Sequence, residues 1–293
     1  MTAPTSSASF AVIGSSSSAT TNALISGFKW GSSTVGSSVS LSYSFPWASG
    51  GSATFAGLNG QSYSDLNEQN TGTALNTTQQ AAFRSALQAW ANVANLSFSE
   101  VSDTSSNVGD IRVAWTSAAY GISTGEQAWG WAGYPGAWPS AGDVWISARG
   151  SDTASQSWAA GSYNFEALMH ELGHALGLKH PFEDSPTLAK SLDTRQYTLM
   201  SYTQPANSVY PSAGYVDGKY TWLSYYVNPE TPMVLDIAAM QYLYGANTQY
   251  NSGDTTYTFD PSKPFFKTIW DGGGADTISL SNYTLSNTID LTP

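Results

Sequence analysis

The sequence predicts a globular α+β fold rich in turns, on three observations. Of its 293 residues 41% are hydrophobic and only 11% charged, too apolar a mixture for a disordered chain. Its 27 glycines, with many serines and asparagines, interrupt it too often for an all-helical protein. Apolar residues recur with period 2 in some stretches and at three- and four-residue spacing in others, the patterns of strands and of helices.

Taken in order, residues 1–25 are rich in Ser, Thr and Ala without a sustained period, and read as a flexible or loosely docked lead-in. In SVSLSYSF (38–45), Val39, Leu41, Tyr43 and Phe45 alternate with serines, as in a half-buried strand. Residues 77–95 carry Phe83, Leu87, Trp90 and Val93 on one face behind a Thr cap, which predicts an amphipathic helix. GDIRVAW (109–115) turns Ile111, Val113 and Trp115 to one side, and GDVWISA (142–148) reads as a further strand. Between them GEQAWGWAGYPGAWPSA suits aromatic loop packing, or in part a groove or edge strand where an extended peptide could pair. A helix starting at Ser162 or Asn164 stops at Gly177, and a later one over 232–245 has Leu235, Ala239, Tyr242 and Leu243 as its stripe and Gly245 as its cap. From 246 the text becomes short, turn-punctuated β, which places a domain boundary there.

A formal net charge of −11 with ten Lys plus Arg argues against nucleic acid and anionic membranes, since little is available to replace counterions. Cysteine is absent, which excludes disulfides, thiolate ligands and thiol nucleophiles, so any metal must be held by N and O. The N-terminus lacks the basic and apolar regions of a secretory signal, and no window approaches ~18 apolar residues.

All three histidines lie within HELGHALGLKH (170–180). On a helix His170 and His174 stand about 40° apart, one turn above the other, with Phe165, Leu168, Leu172 and Leu176 on the opposite side. Glu171 projects beside them. His180 cannot join them by continuing the helix; the chain must turn, and Gly177 tolerates the φ > 0 that does so, while Pro181 prevents helical return. Three neutral imidazoles on one cation with a position left for water predict catalytic zinc. Zinc acidifies water, and Glu171 can take that proton as the water attacks a carbonyl, then pass it to the leaving nitrogen.

HELGHALGLKH resembles the signature of the metzincin zinc endopeptidases. YTLMSY (197–202) is similar to their Met-turn in its serralysin form, and LSYSF, GDIRVAW, GDVWIS and DIAAMQYLYGAN resemble serralysin text over roughly residues 25–290. The resemblance implies an α+β metzincin catalytic domain over 26–245: a twisted mixed sheet with two long helices, a cleft across the middle, and substrate extended along an edge strand within 126–146. It implies Met200 beneath the metal, and Tyr202 as a switchable zinc ligand that supports the oxyanion. It further implies that 246–293 is a truncated or reduced β-roll-like segment holding structural Ca²⁺ by Asn251, Gly253, Thr255, Asp271, Gly273 and Asp276. Two departures stand out: Asn251, where Arg is expected, and Phe182, where a Gly often follows the His-Pro of relatives.

The function so implied is a secreted, extracellular or cell-surface zinc endopeptidase, exported without an N-terminal signal peptide by a route that reads a C-terminal signal. It acts as a monomer on extended protein and peptide substrates, with a protein inhibitor as a further candidate partner. The alternatives are a processing protease of narrow specificity, for instance for a surface-layer protein, and a non-catalytic calcium-stabilised surface module. An intact Glu171 argues against the last.

Overall fold

The computed structural model describes residues 8–58, 60, 62–120, 128–149, 156–206 and 208–289. Residues 1–7 of the lead-in, 126–127 of the expected edge segment and 290–293 lie outside them. The centre is a five-stranded sheet of β3 (Val39–Ser44), β4 (Leu96–Glu100), β5 (Ile111–Thr116), β6 (Gly130–Ala132) and β7 (Val144–Ser147), in the order β4-β3-β5-β7-β6. All pairs are parallel except β6–β7, so the short β6 closes one edge running against its neighbour.

The parallel β3–β4 pair needs a crossover, supplied by α2 (Thr77–Val93). The cap of α2 is Asn76 and not a threonine: its side chain accepts from the Gln79 N–H while Gln79 reaches back to the Asn76 N–H, satisfying two otherwise unpaired donors. Both faces of β5 are buried, not one, because helices and loops cover the sheet on either side.

Residues 8–25, expected to be loose, are packed down. β1 (Phe10–Val12) pairs antiparallel with β2 (Phe28–Trp30), α1 (Ala19–Asn22) is capped by Ser18, and Ala23 and Leu24 are fully buried. Lys179 N donates to Leu24 O at 2.7 Å, and Ile25 bridges Leu178, so the start of the chain lies against the turn after the histidine helix.

That helix, α3 (Tyr163–Ala175), is capped by Ser162 and is the most enclosed element: every residue from Asn164 to Ala175 is buried. The Trp90 and Trp30 indoles donate to Met169 O and Ala175 O, and the Tyr244 hydroxyl donates to Leu176 O. Three rings from α2, β2 and α4 (Val234–Tyr244) thus grip its backbone. The buried side of α4 is Ile237, Ala239, Met240, Leu243 and Tyr244, with Leu235 and Tyr242 only partly covered, and Gly245 ends it at φ 84°.

No element is expected from the apolar pattern over 209–226, yet β8 (Val209–Val216) and β9 (Lys219–Tyr226) form an antiparallel hairpin. Asp217 and Gly218 both take positive φ at its tip, the D-G turn whose twist suits two strands. Its rings, Trp222 and Tyr220 among them, are exposed. β10 (Thr256–Thr258) and β11 (Thr277–Ser279) pair in parallel in the last segment. No helix among the described residues is long and apolar enough to cross a membrane.

Candidate metal centre

His170 and His174 leave α3 one turn apart, and the chain then reverses at Gly177, whose φ is 111°. A Cβ there would stand 2.4 Å from Phe28 O, so the position needs glycine both for its dihedral and for the approach of β2. The turn swings His180 back over the helix. The three Nε2 atoms lie 3.1 Å (His170–His180), 3.2 Å (His170–His174) and 3.1 Å (His174–His180) apart.

Each opposite nitrogen is engaged. His170 Nδ1 donates to Leu199 O, His174 Nδ1 to Leu178 O and His180 Nδ1 to the Glu183 carboxylate, each at 2.8 Å. With those protons on Nδ1, three Nε2 lone pairs face one point, an arrangement that repels itself unless a cation sits between them. The edges approach the roughly 3.4 Å that separates nitrogens held at about 2.0–2.1 Å on a tetrahedral ion, so the donor set fits zinc. Burial pushes the His170 imidazole down to about 3, and that of His174 well below its ordinary value, so both stay neutral and able to bind metal. Among the described residues this is the one group of three such side chains whose ligand atoms converge.

Glu171 is buried beside the ligands, and burial raises its carboxyl to about 8. The edge strand runs against it: a Cβ on Gly130 would come within 3.6 Å of Glu171 Oε1, so β6 presents its backbone at the carboxyl group. Tyr134, on the loop after β6, sets its ring edge-on to His174 at 5.6 Å, and burial first, then Glu183, raises its phenol to about 12.

The stretch 197–202 passes beneath. Met200 is fully buried, and a Cβ on Gly173 would stand 2.7 Å from its sulfur, so the glycine between the two helical histidines makes room for the methionine. Tyr202 places its hydroxyl 2.9 Å from His180 Nε2 and is 59% exposed. Burial, then the carboxyl groups of Glu171 and Glu183, raise its phenol.

Sequence reasoning missed the anchors of this stretch. Asp236 of α4 accepts from the Thr198 hydroxyl at 2.5 Å and from Leu199 N at 2.7 Å, and caps its own helix through Met233 N at 2.9 Å. Leu199 in turn offers its carbonyl to His170, so one carboxyl group ties α4 to a ligand. Arg195 pairs with Glu166, one turn before His170, at 3.2 Å, and its N–H donates to Thr203 O. Glu183 was legible only as an acid three residues past a ligand.

The Matrixin family of peptidases matches residues 61–203, which take in four of the five sheet strands, the histidine helix and the turn just described. Serralysin B of Dickeya chrysanthemi is 34% identical over 228 residues, covering 70% of this chain and 44% of that protein. Metallopeptidase AprA of Pseudomonas marginalis is 32% identical over 267 residues, 81% of this chain and 52% of the relative. This chain belongs to the serralysin-type metzincins. Serralysin of Proteus mirabilis, 28% identical, covers 88% of this serralysin-type chain and 52% of its own. The chain therefore spans about half the length of these relatives. The family implies catalytic zinc, and the histidine triad fits it.

The six residues tied to calcium by resemblance also come together. Asp276 Oδ1 accepts from Thr255 N at 3.0 Å, Asp271 accepts from Gly273 N at 2.8 Å and from the Tyr257 hydroxyl, and Asn251 Nδ2 reaches that same hydroxyl at 3.0 Å. Gly253 O accepts from the Thr255 hydroxyl at 2.9 Å. The parallel β10–β11 pair sets these two turns side by side.

Proposed function

We propose that this chain is a zinc-dependent endopeptidase that hydrolyses extended protein substrates, with His170, His174 and His180 as ligands and Glu171 as general base. The observation that carries this reading is the convergence of three Nε2 atoms within 3.2 Å while every Nδ1 is engaged elsewhere. Bound zinc would supply Lewis acidity, polarising the scissile carbonyl and acidifying water.

The chain's own groups do the rest. β6 offers an edge along which an extended peptide can pair, bringing a peptide carbonyl past Gly130 to Glu171. Glu171 takes the proton of the attacking water and returns it to the leaving nitrogen. Tyr202 supports the developing oxyanion with its hydroxyl, and Met200 forms the floor.

The finer features belong to the same reading. Residues 26–245 form the protease unit and 246–293 a reduced β-roll-like segment, in which Asn251, Gly253, Thr255, Asp271, Gly273 and Asp276 bind structural Ca²⁺. The protein works as a monomer outside the cell. The resemblance to serralysins supports those assignments, and the hydrogen bonds that join the two turns support the calcium segment.

The test is cleavage of unfolded casein by the purified chain against Glu171→Ala at matched zinc content. A loss of ~100-fold or more with zinc retained is expected. Equal activity of the two proteins would remove Glu171 from the reaction; zinc retention without cleavage in either would overturn the endopeptidase reading.

A further inference from the structure

One aromatic ring at the centre has no part in the reaction above. Phe182 lies two residues past the third ligand, 41% exposed, with its ring parallel to His180 at a centroid distance of 5.1 Å and 9° between planes. The same ring meets Tyr202 at 5.1 Å and 53°. On its other side Tyr202 stacks on His170 at 5.7 Å and 26°. The tyrosine is thus held between a ligand ring and a ring that binds nothing.

The loop that carries Phe182 is pinned. The Lys179 ammonium gathers the carbonyls of Glu183, Asp184 and Pro186 at 2.5, 2.8 and 3.2 Å, and the Glu183 carboxylate accepts from His180. The backbone on both sides of Phe182 is thus tied down, which keeps its Cα beside His180 and Tyr202. A ring so exposed to water gains little from burial; what it gains comes from its two aromatic contacts.

We propose that Phe182 is a positioning residue that holds Tyr202 inward, with its hydroxyl 2.9 Å from His180 Nε2, and so sets how much of the protein is open to substrate. This rests on the reading of Tyr202 as a switchable ligand. An aromatic pair of this kind biases a two-state side chain roughly 2- to 10-fold. The substrate-competent state is the outward one, so the apparent substrate dissociation constant is the intrinsic one divided by the outward fraction, and the bias raises it by shrinking that fraction.

The experiment compares wild type, Phe182→Leu, Phe182→Tyr and Tyr202→Phe, each loaded with Cu(II) for spectroscopy and with zinc for kinetics, at one metal per chain. Inward Tyr202 on Cu(II) gives a phenolate-to-copper charge-transfer band, which Tyr202→Phe must lack. In Phe182→Leu the band weakens where the inward state is a minority. KM for a peptide falls roughly 2- to 10-fold, with kcat held, where it is the majority. Phe182→Tyr retains the wild-type values of both. A wild-type band lost in Tyr202→Phe, with band and KM both unchanged in Phe182→Leu, overturns the role of Phe182 alone. No band in the wild type overturns the reading of Tyr202 as a ligand and the proposal with it.

Discussion

At the scale of residues, the three ligands differ in what holds them. His170 and His174 lean on backbone carbonyls, whereas His180 leans on a side chain, Glu183, which mutation can remove without touching the fold. Such a partner fixes the tautomer and raises the basicity of the ligand, and its loss typically weakens metal binding 10- to 100-fold. Glu183→Leu should therefore raise the zinc dissociation constant about 10- to 100-fold in a chelator competition; an unchanged constant would mean that the loop around Lys179 orients His180 unaided. The ligands were legible because all three fall within eleven residues, where helix geometry and one glycine decide their placement. Asp236 was not, since its partners at 198 and 199 lie 38 and 37 positions away and spacing says nothing about such a contact.

At the scale of elements, the histidine helix departs from the amphipathic picture that its leucines suggest. The leucines do point into the core, but the histidine face is covered as well, because the stretch 197–202 and the edge strand close over it. Gly177 is the hinge between helix and third ligand. Gly177→Ala should cost about 1–3 kcal/mol from its dihedral alone, before the clash with Phe28 O, and should lower the melting temperature and zinc affinity together. Asp236 joins α4 to the same region, and burial pushes its carboxyl up to about 7 against the pull of Leu199 N, Thr198 and Met233 N. A carboxyl raised on folding keeps its proton longer in the native state. Its contribution is complete below about 4 and is lost as pH rises towards 7. The urea midpoint of the metal-free protein should fall over that range relative to Asp236→Asn; parallel profiles would show the group ionised throughout. The β8–β9 hairpin carried a readable sign in its D-G turn, but its rings face no core, so a search for half-buried strands passes it by. Its base is closed by Val227 N on Ser208 O at 2.8 Å, so replacing 209–226 by a Gly-Gly link should leave zinc affinity unchanged within about 2-fold.

At the scale of the whole molecule, β3, β5 and β7, the helices α2, α3 and α4 and the histidine cluster were legible from periodicity and one motif, while the path of residues 8–25 was not. Ser, Thr and Ala give that stretch no apolar rhythm, yet Ala23 and Leu24 are buried by tertiary contact, which no local pattern reports. Zinc binding to the native state alone should add about 4 kcal/mol at a free concentration 1,000 times its dissociation constant, read as a melting temperature that rises with zinc. A transition indifferent to zinc would place the ion outside the folded centre.

The contact between Leu24 and Lys179 gives that linkage an address. Because the turn that delivers His180 is also the shelf on which the start of the chain rests, a chelator should act on the N-terminus as a mild, local denaturant. Amide protons of residues 23–25 should exchange faster once the ion is withdrawn, while those of the distant β10–β11 pair keep their pace, so the beginning of the polypeptide would serve as a gauge of whether the centre is loaded.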